Sequence, residues 1–95
     1  MFRSASFGFM LLTTTAAVGG ELPRYSVEAT CRAAPTLETS DRNTFQNCVR
    51  DENQAHTQLR QQWAGFDATR RVMCVQEESI GGAPSYVDLL TCLQM

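Results

Sequence analysis

Six residues carry most of the chemistry this sequence could do: four cysteines and one Glu–His pair. Cys31, Cys48, Cys74 and Cys92 are separated by 16, 25 and 17 residues. Cysteine zinc sites and dithiol redox centres use close pairs such as C-x-x-C, which supply two sulfurs from one turn, and no such pair exists here. Wide spacing behind an export leader reads instead as two structural disulfides. Glu52 and His56 stand four residues apart, so on a helix their side chains meet. A carboxylate beside an imidazole is half a metal site or an acid–base pair. A metal would need a further ligand, and the cysteines are expected to be oxidised, so no metal or cofactor is expected. The plainer expectation is a polar pair at a helix seam, with Glu52 raising the pKa of His56. A Cys48–His56 nucleophile fails on distance, because eight helical residues span about 12 Å. Cys74 or Cys92 could approach only from another helix. With a single histidine, no nucleophile motif and no Gly-rich phosphate loop, no catalytic residue is assigned and the reading is a non-enzyme.

A second constellation is Trp63, Phe66, Arg70 and Arg71, which converge on one helix–helix corner. Aromatics and arginine carry much of the energy of protein interfaces, so these four are candidate partner-binding residues. The commoner fate of Trp63 and Phe66 is to plug the end of a core. The Gly81–Pro84 loop is a weaker candidate surface, since turns need such residues anyway.

The element that positions most of these groups is the stretch from Ser40 to Trp63. Phe45, Val49, Leu59 and Trp63 fall on one side of a helix, with Cys48 and Ala55 at its edge and Glu52 and His56 in its middle. Ser40 or Asp41 should cap it, and Gly65 suits a left-handed stop. Before it, Glu21–Ala34 suits a short helix opening at Pro23, with Tyr25, Val27 and Cys31 available to pack, followed by a loop from Pro35 to Thr39. After it, Asp67 can cap a helix running to about Ser79 whose buried stripe is Ala68, Val72 and Val75, with Cys74 on the flank. That helix is charged against its own dipole: Arg70 and Arg71 lie in the first turn, Glu77 and Glu78 in the last. Asp67 can offset one arginine at i,i+4, and neighbouring segments are expected to neutralise the rest. Ile80–Pro84 is a break. Ser85 and Asp88 make a capping-box-like start to a last helix burying Tyr86, Leu89, Leu90 and Leu93.

Met1–Gly20 reads as a signal peptide. One Arg precedes an apolar run from Phe7 to Leu12, no acid appears before Glu21, and Ala17-Val18-Gly19 has a small-x-small shape, so cleavage is expected near Gly19 or Gly20. The apolar core is too short to span a bilayer. Residues 21–95 then form a single helical domain, too small for a core to hold unaided. The net charge is −2, and removing Arg3 leaves seven Arg against ten acids, −3, which argues against nucleic acid as a partner. Of three cysteine pairings, spacing alone decides none. An antiparallel fold-back about Gly81–Gly82 puts Cys74 and Cys92 at similar heights, whereas Cys48 misses Cys74 by about 10 Å along the helix. This favours 31–48 with 74–92, leaving 31–92 with 48–74 as the alternative.

Cys48-Val-Arg-Asp-Glu, then Ala55, Leu59, Trp63, Phe66 and Cys74, then Gly-Gly-Ala-Pro-Ser-Tyr-Val-Asp-Leu-Leu-Thr-Cys92-Leu, resembles an uncharacterised family of small exported bacterial proteins with four cysteines. The resemblance runs from Cys31 to Met95 and implies export and a helical fold, with no activity attached. Cys31–Trp63 is also similar to the helical cysteine-bearing domain of periplasmic lysozyme-inhibitor-like proteins. Thr57-Gln58-Leu59-Arg60 departs from that domain's Asp-x-x-Leu-Asn pattern, so no inhibitory residue carries over. The expected fold class is all-α, a small disulfide-stapled domain of one long amphipathic helix with two or three shorter helices packed on it. The expected function is a non-catalytic periplasmic or secreted protein that binds an envelope protein, such as a hydrolase it inhibits. The alternative is a small ligand- or metal-binding protein using Glu52 and His56.

Overall fold

In a computed structural model the protein is described over residues 20–34 and 41–95. Residues 1–19 of the leader, the 35–39 loop and Ser40 lie outside the described residues. Four helices appear: α1 (Val27–Ala33), α2 (Asp41–Gln62), α3 (Ala68–Glu78) and α4 (Tyr86–Gln94), with no strand among the described residues. The all-α reading holds, one long helix with three shorter ones. None of the described helices is long and apolar enough to cross a membrane.

The order of packing differs from the order in the chain. α1 packs on α2, α2 on α4, and α4 on α3, so the last helix becomes an inner layer. This follows from composition. Tyr86, Leu89, Leu90 and Leu93 are all buried, as expected, and no other short helix buries as many apolar side chains. They meet Ala55, Leu59 and Trp63 from the α2 side and Cys74 from α3. Phe45 and Val49, nearer the start of α2, stay partly exposed beside Val27 of α1.

Several local expectations are corrected. The first helix begins at Val27, where the Ser26 hydroxyl accepts from the Ala29 amide, and not at Pro23. Residues 22–25 form no helix, and Leu22 and Tyr25 pack on the core. α2 ends in a 3-10 turn over Trp63–Gly65, and Gly65 keeps negative φ; among the described glycines only Gly81 and Gly82, at +80° and +107°, use the left-handed region. On α3, Ala68 is exposed while Cys74 is 1% exposed, because α4 covers the cysteine flank of the expected stripe. Asp67 caps α3 by accepting from the Arg70 amide, and no ion pair joins it to either arginine among the described residues.

The cysteines pair 31–48 and 74–92, and none is free. One bridge joins α1 to α2 and the other α3 to α4. Each closes a loop of about 18 residues and should contribute about 3 kcal/mol in the chain-entropy model. Replacing either pair by alanine is therefore expected to lower the unfolding free energy by about that amount. Denaturant unfolding with the other bridge intact measures it; losses well under 1 kcal/mol would mean that the helices hold without cross-links.

Candidate functional site

Glu52 and His56 do not form the expected pair. Each turns instead to Tyr86, the first residue of α4. Glu52 is 3% exposed, and its carboxylate accepts from the Tyr86 amide at 2.7 Å and the Ser85 hydroxyl at 2.5 Å, with the Val87 amide further off at 3.5 Å. The positive end of a helix favours an anion, and unpaired amides there need acceptors. Glu52 thus acts as a cap supplied by another helix. Ser85 accepts from the Asp88 amide, as the capping-box pattern implies. The return bond of that motif is missing, because the Ser85 amide donates to Glu78 Oε1 at 3.0 Å.

This arrangement accounts for the reversed charges of α3. α4 runs antiparallel to α3, so Glu78 lies at the positive end of α4 and Arg70 at its negative end, donating to the Cys92 carbonyl at 3.4 Å. Arg71 turns back to the Trp63 carbonyl at 3.1 Å, its guanidinium carbon 5.5 Å from the centre of the Trp63 ring. The neighbouring elements take up Arg70, Arg71 and Glu78, as expected, while Glu77 stays exposed. Burial pushes the Glu78 carboxyl up from its ordinary value; the Ser85 hydrogen bond opposes this, while the charges of Asp88, Glu77 and Glu52 add to it.

The His56 ring lies flat on Tyr86, centroids 4.0 Å apart and planes within 5°. Tyr25 packs on Tyr86 at 4.8 Å, and its amide donates to the Tyr86 hydroxyl at 2.8 Å. Burial pushes the Tyr25 hydroxyl up to about 12, with Glu78 and Tyr86 adding to the rise. The expectation that Glu52 raises the His56 pKa is overturned: burial lowers it, and the Arg60 charge lowers it further. His56 also lines a recess of about 480 Å³ bounded by Arg24, Tyr25, Arg60 and Tyr86. The sequence singles out neither Arg24 nor Arg60, and it marks Tyr86 only as a core residue and Glu78 only as a charge at a helix end. Arg60, one turn beyond His56 on the same face, carried the most readable signal.

At the other candidate surface, Trp63 is buried and Phe66 packs against the core, while Arg70 is exposed and Arg71 partly exposed. No group of three or more His, Cys, Asp or Glu side chains that could hold a metal ion occurs among the described residues. Fold and site together define a twice cross-linked four-helix domain whose buried carboxylate serves a helix end. No protein-family model matches the chain, and no curated protein or solved structure does.

Two measurements probe this site. Glu52→Gln, which keeps one acceptor, should cost about 1–2 kcal/mol, and Glu52→Ala, which strands two donors, about 3–4 kcal/mol; equal losses in denaturant unfolding would contradict the capping role. The His56 midpoint, followed by NMR, should fall below 6.5. The unfolded chain then binds the proton more readily than the folded one. The His56 contribution to stability should therefore be complete above 6.5 and be lost as pH falls through the folded midpoint. His56→Gln should flatten that part of the profile, whereas a midpoint above 6.5 would restore the Glu52 ion pair.

Proposed function

We propose that this chain is a non-catalytic exported domain of the cell envelope that binds another protein through the outward face of α3. The observation that carries the reading is the uncovered apolar surface there and at the turn that follows: Met73 of α3 is 60% and Ile80, just beyond it, is 75% exposed. Both border a recess of about 550 Å³ beside the Cys74–Cys92 bridge, with Arg70 and Glu77 on its rim. Large apolar side chains held outside a domain that is short of core material favour a contact role. A domain of this size can offer about 800 Å² to a partner, enough for a specific complex. Of the four sequence candidates Arg70 lines this recess, whereas Trp63, Phe66 and Arg71 do not. Two disulfides are compatible with an oxidising, exported location.

Metal or ligand binding through a Glu52–His56 pair has less support. Both Glu52 oxygens already accept hydrogen bonds, and no hydrogen bond joins the two side chains among the described residues.

The test is competitive capture from envelope extract by the oxidised protein and by a Met73→Glu/Ile80→Glu variant. The variant should fold with unchanged thermal stability and lose at least about tenfold in affinity for the captured protein, as expected when apolar anchors are replaced by charge. Equal capture by both forms would remove α3 from the interface. Inhibition of a muralytic enzyme by the wild-type protein alone would identify the partner as a hydrolase.

A further inference from the structure

Among the arginines whose side chains are described, Arg24 and Arg60 have the least internal use. Arg32 pairs with Glu28, Arg50 with Asp51, and Arg70 and Arg71 donate to backbone carbonyls. Arg24 and Arg60 are exposed and have no acceptor among the described residues, yet both line the recess whose wall contains His56. They reach it from different elements, Arg24 from the segment before α1 and Arg60 from the last turn of α2.

We propose that this recess binds a small organic anion, a carboxylate or phosphate ester with an apolar body, held by Arg24 and Arg60 against His56. Guanidinium groups match both kinds of oxyanion with paired N–H donors, and two of them on the wall of one recess hold one charge better than either alone. The remaining wall suits the apolar body: Leu22, Pro23 and the rings of Tyr25 and Tyr86 line the same recess. Its volume of about 480 Å³ lies within the usual range for small-molecule sites. The walls are also fixed in place. Tyr86 is 1% exposed with its amide held by Glu52, and its hydroxyl is tied to the backbone of the segment that carries Arg24.

The charged and titratable groups that face His56 are Arg60 from its own helix, Arg24 and Tyr25 from the N-terminal segment, and Tyr86 from α4. Glu52, one turn earlier, has its oxygens engaged at the start of α4. His56 therefore stands beside positive charge that no carboxylate offsets, and its lowered pKa reflects that in part. An anion bound between the arginines must raise that pKa, and the imidazolium must in turn tighten the anion. The site is independent of the α3 face, with which it shares no lining residue.

The experiment is an NMR titration of His56 in the oxidised, processed protein at constant ionic strength. The probes are inorganic phosphate, benzoate and phenyl phosphate, with chloride as the comparator. Saturable shifts and a raised His56 midpoint with phenyl phosphate or benzoate, stronger than with inorganic phosphate, are expected. The order of benzoate and phenyl phosphate separates a carboxylate site from a phosphate site. Arg24→Gln and Arg60→Gln should each weaken binding about tenfold, the loss typical of one charged hydrogen bond. Met73→Glu/Ile80→Glu should leave it unchanged, so failure here and failure of the α3 interface are distinguishable. Responses no larger than chloride in the wild-type protein would overturn the proposal. So would undiminished binding in a folded Arg24→Gln/Arg60→Gln variant.

Discussion

A carboxylate placed by α2 at the start of α4 is the constraint on which the fold depends. α4 has nine residues, too few to persist alone in water, yet it forms an inner layer of the domain. Its amide end must find acceptors where solvent is excluded, and Glu52 supplies two oxygens there. Burying a charge is costly, and here the hydroxyl, the amides and the helix dipole offset the cost together. The arrangement also sets register. A slip of α4 by one turn along α2 would leave a buried carboxylate without donors, so the contact selects one docking among several that leucines alone would tolerate.

The two disulfides complement this contact. The layers follow the order α1, α2, α4, α3, and the bridges join the first pair and the last pair. The middle boundary, α2 against α4, has no covalent tie. It is the boundary where Leu59 and Leu89 are fully buried and where Glu52 meets Ser85 and Tyr86. Cross-links thus serve the outer helices, whose apolar stripes are narrow, and the core with its buried carboxylate serves the inner pair. α3 shows how the two work together. Held by Cys74 on one side, it directs Glu78 and Arg70 to opposite ends of α4, so charges that disfavour its own helix favour its neighbour's.

Much of this was legible in the residues. Periodicity placed α2, α3 and α4 to within a few positions, the Gly81–Gly82 break was plain, and the four buried residues of α4 were named in full. The height argument favoured the observed bridges without excluding 31–92 with 48–74, because it used only helical rise and one reversal of direction. Readings that relied on neighbours in the sequence fared worse. Four-residue spacing predicts that Glu52 and His56 meet, but it cannot register a third element arriving between them. Tyr86 arrives with two unpaired amides near its position and a flat ring, and it takes the carboxylate at its backbone and the imidazole on its face. Pro23 failed as a helix start for a similar reason: Leu22 and Tyr25 pack on the core from a segment outside the helix. Ser26, three residues before the Ala29 amide that it caps, was the local signal for the true start.

The balance of charge bears on function at two scales. A net charge of −2 weighs against a polyanion, whose binding requires a broad basic face. It says little about a single anion, because exposed charges more than about 8 Å away are screened at physiological salt. What matters at the recess is the local count, and there Arg24, Arg60 and His56 face inward without an acidic counterpart on the wall. Elsewhere the polar groups suited to chemistry are already engaged: the cysteines with each other, and Glu52 with the end of α4. A chain that commits its sulfurs and its buried carboxylate to holding four helices together retains, at this recess, groups suited to recognition.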